Sequence, residues 1–166
     1  MIKGIHHTSR TVAAMDQSLA FYRDLLGLRV CLDAEMSGEM LSREVALAGA
    51  HLRLVELETG GEAMLELLQY YIPKGVPYPL EARCSDVGAS HIALLVEDIN
   101  DAHRRLVAAG VRFTYPPQQV DNGYFAGHWT AYCYDPDGQI VELWQLPESR
   151  LPNTKFVTLK RKKSLS

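Results

Sequence analysis

The chain has 166 residues and a mass of 18.6 kDa, the size of one ordinary domain or two very small ones. Its 47% hydrophobic and 22% charged residues sit at globular averages and exclude a wholly disordered chain. The net charge of −3 is uneven: Lys155, Lys160, Arg161, Lys162 and Lys163 put +5 on the last twelve residues and leave −8 on the rest. An acidic body argues against a nucleic-acid groove, and the basic tail, residues 149–166, reads as a solvated terminus. Apolar runs such as IALLV at 92–96 fall far short of the roughly 20 residues that cross a bilayer. The N-terminal MIKGIHHTSRTV lacks the apolar centre of a secretory signal. A cytoplasmic protein with no membrane partner is expected. Cys31, Cys84 and Cys133 form no CxxC pair and read as buried free thiols, not as a disulfide scaffold or zinc knuckle.

The first strand-like stretch covers residues 3–12. After it, DQSLAFYRDLLGL places Leu19, Phe21, Tyr22, Leu25 and Leu26 at helical spacing, with Asp16 as the expected cap and Gly27 as the stop. Strand-like runs follow, broken by the turn ETGGEA at 58–63. Residues 73–88 hold Pro73, Gly75, Pro77, Pro79 and Gly88, a composition that suits a linker. A second strand, 90–96, then leads to a helix with Ile99, Leu106 and Val107 on its apolar stripe. Asp98 is its expected cap and Gly110 its stop, and further strands turn at DPDG, 135–138.

The two halves therefore repeat, and the register holds residue by residue. His7 lies five residues before Val12 and twenty before Gly27; His91 lies five before Val96 and nineteen before Gly110. MLELLQ at 64–69 matches IVELWQ at 140–145. This divides the chain into a first module at 1–72, a linker at 73–88, a second module at 89–148 and the tail.

Each half contributes one histidine from its first strand and one glutamate from its last: His7, Glu66, His91 and Glu142. A carboxylate in the middle of an otherwise apolar strand is costly unless an arginine or lysine, a raised pKa or a metal ion compensates. Two such carboxylates at matching positions point to a divalent cation, and imidazole and carboxylate suit Zn, Ni, Co, Mn or Fe(II). Glu56 is the rival of Glu66, and the match between the two closing strands favours Glu66. His6, His51, His103 and His128 read as ordinary core or surface histidines.

The stretches IHHTSRTVAAMDQSLAFYRDLLGL, LELLQ, SHIALLVEDI and YDPDGQIVELWQ resemble the vicinal oxygen chelate superfamily, which includes glyoxalase I, methylmalonyl-CoA epimerase, extradiol dioxygenases and bleomycin-resistance proteins. The resemblance covers residues 3–147. It implies an α+β fold of tandem βαβββ modules forming a U-shaped, mostly antiparallel cup with helices outside. It also implies one divalent metal ion held by His7, Glu66, His91 and Glu142, the ligand types and chain order of glyoxalase I. The implied function is metal-stabilised enolate chemistry of the glyoxalase or epimerase type on a small oxygenated molecule, by a homodimer. Glu142 is the implied proton carrier and Glu66 its competitor. Arg10, Tyr124 and His128 are candidates for substrate contact, with Trp129 beside them. Two alternatives remain: an Fe(II)- or Mn(II)-dependent extradiol-type dioxygenase, in which Tyr124 or His128 would serve as acid or base, and a non-catalytic resistance-type binder.

Overall fold

The computed structural model describes residues 1–79 and 83–148; the basic tail falls outside them. The chain forms two compact units, Met1–Pro77 and Tyr78–Ser166. The first contains β1 (His7–Thr11), α1 (Met15–Leu19) running into a π-helical segment (Ala20–Leu25), β2 (Arg29–Ser37), α2 (Glu39–Glu44), β3 (His51–Glu58) and β4 (Met64–Ile72). The second contains β5 (His91–Leu95), α3 (Ile99–Ala108), β6 (Gln118–Gln119), β7 (Trp129–Tyr134) and β8 (Ile140–Gln145).

Each unit builds one four-stranded sheet, in the order β1-β4-β3-β2 and β5-β8-β7-β6. The first and last long strands pair in parallel, and the remaining pairs are antiparallel. This is the tandem βαβββ arrangement of an α+β fold. In the first unit Val55, Leu57, Leu65 and Leu67 are buried together with Met15, Leu19 and Tyr22 of the helix. Val141, Leu143, Ala131 and Cys133 are buried in the second, with Ile99 and Leu106 of α3. On the first sheet's other face, Leu41 of α2, which has no counterpart in the expected elements, packs with Ala50 and Leu52.

The glutamine that closes each repeated strand has a structural task. Gln69 Oε1 accepts the Met15 N–H at 2.8 Å, and Gln145 Oε1 accepts the Ile99 N–H at 2.7 Å. Each supplies an acceptor for one of the unpaired donors at a helix start. Asp98 caps α3 as expected, accepting from the Asp101 N–H at 2.9 Å. Asp16 does not cap α1: it lies inside the first turn and pairs with Arg53 at 3.0 Å, leaving the start to Gln69. Gly27 and Gly110 end the helices at φ 77° and 84°, values that favour a residue without a Cβ. Of the three thiols only Cys133 is buried; Cys31 and Cys84 are exposed, contrary to expectation. Cys31 sits at the irregularity between Val30 and Leu32, where strict alternation lapses. Among the described residues, no helix is long and apolar enough to cross a membrane.

Candidate metal centre

The alternation that buries Leu65 and Leu67 under the helix turns Glu66 to the opposite face of β4. Parallel pairing sets Ser9 beside Glu66 and His7 beside Met64, and His7 Nε2 stands 3.9 Å from Glu66 Oε1. The second unit repeats this register, with Ala93 beside Glu142 and His91 beside Ile140. There His91 Nε2 is 3.1 Å from Glu142 Oε2. The two carboxylate side chains are 11% and 6% exposed, whereas the His7 and His91 rings are 41% and 46% exposed. Each pair thus combines a sealed carboxylate with an imidazole that solvent reaches.

The surroundings of the two carboxylates differ. Glu66 lies across from Glu56 of β3. Burial, the largest cause, holds the Glu66 carboxyl above the usual range; His7 pulls it back and Glu56 pushes it further up. Glu142 lies across from Tyr132 of β7. The Tyr132 phenol is pushed up to about 12, first by burial, then by the Glu142 charge and by its hydrogen bond to that carboxylate. Its ring also meets the His91 ring edge-on, with centroids 5.4 Å apart.

Two further residues join the first pair. Ligand atoms of His6, His7 and Glu56 all lie within 4.8 Å of one another, and His6 Nδ1 is 2.9 Å from His7 Nδ1. Sequence reasoning set His6 aside and ranked Glu56 as a rival, and it overlooked Tyr132. A usable signal existed for both cross-strand partners. A hairpin turning at ETGGEA sets Glu56 opposite Glu66, and one turning at DPDG sets Tyr132 opposite Glu142.

Of the residues expected to contact substrate, His128 is 3% exposed and packs on Trp144 at 5.3 Å. Trp144 shares the Glu142 face of β8. The Phe125 carbonyl only accepts, so His128 donates through Nδ1 at 2.8 Å, leaving Nε2 as the acceptor in the neutral ring. Tyr124 is 78% exposed, with its ring against Phe125 at 5.0 Å. Trp129 pairs with Gln145 and so belongs to the helix side of the sheet. Arg10 lies beside Leu67 and is 5% exposed. Alternation along β1 places it on the face opposite His7 and Glu66.

The donor set fits a divalent metal. Among the described residues, the ion-pair partner of Glu66 and of Glu142 is a histidine and not an arginine or lysine, and imidazole nitrogen with carboxylate oxygen suits ions of the zinc, nickel, cobalt, manganese and iron group.

Comparison with known proteins agrees with this architecture. The chain is 32% identical over 150 residues to a 2-epi-5-epi-valiolone epimerase of an Actinomyces species, covering 86% of this chain and 79% of that protein. It is 27% identical over 146 residues to the uncharacterized protein YwbC of Bacillus subtilis, covering 87% and 99%. Among solved structures, a glyoxalase family protein from Bacillus cereus superposes with a TM-score of 0.79 at 20% identity, covering 89% of this chain and 96% of that one. The trypanothione-dependent glyoxalase I of Leishmania major gives 0.60 at 23% identity, covering 98% and 99%. At these identities the two structures establish the fold alone. With residues 4–143 also matching its family model, the chain belongs to the glyoxalase/bleomycin resistance protein/dioxygenase superfamily.

Proposed function

We propose that this protein is a divalent-metal-dependent isomerase, an epimerase of the glyoxalase type that moves a proton at a carbon beside a carbonyl of a small polyoxygenated molecule. The observation that carries this reading is the duplicated pair: His7 with Glu66 and His91 with Glu142, in the same strand register in both units. The relative at 32% identity is named as an epimerase, which favours proton transfer over ring cleavage. His7, Glu66, His91 and Glu142 would hold the metal. When bound, such an ion stabilises the negative charge that develops on a carbonyl oxygen as the neighbouring carbon loses its proton.

The remaining work falls to the chain's own groups. Glu142 takes and returns the proton, from a buried carboxylate that the β5–β8 register sets beside His91. Glu66 is its repeat-equivalent competitor for that role. Trp144 and His128 offer an apolar wall with one polar edge on the Glu142 side of β8, which suits a molecule whose rim carries hydroxyls and whose C–H groups face an aromatic ring.

The test combines elemental analysis of the purified protein with deuterium wash-in from D2O, read by NMR on a panel of polyhydroxy ketones. Bound nickel, cobalt, zinc or manganese, and wash-in that chelation abolishes, are expected. Glu142→Gln should slow wash-in by about 10²- to 10⁴-fold. Protein without metal, whose stability chelation leaves unchanged, would identify a binder; stoichiometric iron with catechol cleavage would identify a dioxygenase.

A further inference from the structure

The two half-sites share a register, but the residue that faces the glutamate from the neighbouring strand is not the same in both. Glu56 stands opposite Glu66 in the β3–β4 pair, and Tyr132 stands opposite Glu142 in the β7–β8 pair. The difference is chemical, because a phenol can donate a hydrogen bond to a carboxylate and a second carboxylate cannot. We propose that Tyr132 is a positioning residue whose O–H holds the Glu142 carboxylate in place, making His91 and Glu142 the preorganised half of the cation site. The proposal rests on the reading of Glu142 as a metal ligand.

Three features support it. The O–H of Tyr132 binds the Glu142 carboxylate, so the free lone pairs of that carboxylate keep a fixed direction before any cation arrives. The same aromatic ring meets His91 edge-on at 5.4 Å, so one side chain restrains both ligands of the pair. The distances agree: His91 and Glu142 approach to 3.1 Å, whereas His7 and Glu66 stand 3.9 Å apart. In the first unit the corresponding neighbour of Glu66 is another acid, which repels the carboxylate it faces.

The experiment is a Co²⁺ titration of the metal-free full-length protein, reading affinity and the visible d–d bands. Tyr132→Phe keeps the ring against His91 and removes only the hydroxyl. It should weaken Co²⁺ binding about 10- to 100-fold, the usual effect of losing a partner behind a metal ligand, and should alter the bands, while the melting curve of the metal-free protein stays cooperative. Tyr132→Gln, which keeps a donor, should bind Co²⁺ more tightly than Tyr132→Leu. If the Phe variant does not fold, this second pair decides, and equal affinities for the two overturn the proposal. Wild-type and Tyr132→Phe proteins with the same affinity and the same bands overturn it while leaving the metal site intact. A wild-type protein that takes up no Co²⁺ overturns the metal reading, and this proposal with it.

Discussion

Replacing Glu66 with glutamine should strengthen the metal-free protein and weaken the metal-loaded one. Glu66 is 8% exposed, and His7 Nε2 at 3.9 Å is too far for a hydrogen bond. Glu56 is its direct cross-strand neighbour, which places two Cβ atoms roughly 5 Å apart. Two unit charges at about that separation repel by roughly 1 kcal/mol in bulk water and about 3 at an effective dielectric of 20. Glutamine keeps the shape, removes the charge and gives Glu56 an amide N–H to accept. A net gain of about 1–2 kcal/mol follows, or roughly 2–8 °C in melting temperature for a chain of this size. The pH dependence has a definite sign. Burial raises the Glu66 carboxyl above its ordinary value, so the folded state binds more protons than the unfolded state, and stability falls as pH rises from the ordinary carboxylate range through the raised value. The advantage of Glu66→Gln should therefore be absent in acid and complete above that window. Differential scanning calorimetry of both metal-free proteins across pH, repeated with Co²⁺ present, reads both effects. A metal-free variant less stable than wild type at pH 8 would refute the reasoning, since it would mean that the fold, and not a ligand, makes use of the charge.

The two strand-end glutamines should affect stability alone. Gln145→Met removes the acceptor for the Ile99 N–H and should cost about 1–2 kcal/mol in urea denaturation, with Co²⁺ affinity unchanged. Gln69→Met should do the same through Met15. Burial, with the Glu142 charge and hydrogen bond behind it, pushes the Tyr132 phenol up to about 12 from an ordinary 10.0, so the 295 nm difference between wild-type and Tyr132→Phe proteins should appear at that upper value. Because the folded state retains the proton, this group also withdraws stability as pH climbs from about 10 towards 12. Removing Glu142 should bring the ionisation down, and an unchanged curve in Glu142→Gln would disprove the contact.

The duplicated modules and their four aligned ligand candidates were legible because both depend on short-range order. A histidine five residues before a strand end, a helix closed by glycine and the pattern of MLELLQ against IVELWQ all lie within one element or its immediate neighbour. What stayed hidden required strand register or the side of a strand. Asp16 looks like a cap because it precedes an apolar stripe, yet the backbone donor at Met15 is met by Gln69, 54 positions along the chain. The helix itself begins as α and widens into a π-helical run at Ala20–Leu25, a change of hydrogen-bond pattern that apolar spacing does not register. Arg10 attracted a substrate role as a cation near His7, but an odd separation along a strand puts the two on opposite faces. Tyr132 and Glu56 became visible only once the hairpins fixed which residue faces each glutamate.

The closing strand of each repeat explains why so short a motif can carry both the fold and the site. Within LELLQ, Glu66 and Gln69 are three residues apart, and Glu142 and Gln145 are likewise three apart, so in a strand the two side chains must leave opposite faces. Glutamine and the alternating leucines fasten the strand to its helix, and that attachment fixes where the glutamate emerges on the other side. A slip of one residue would bury the acid against the helix and expose the leucines, and would cost far more than the motif's own hydrogen bonds. The site therefore inherits its precision from the core. On the neighbouring strand, the residue facing the glutamate, Glu56 or Tyr132, can change without loosening that attachment. A duplicated chain can in this way keep two glutamates in the same register while giving them unlike chemical surroundings.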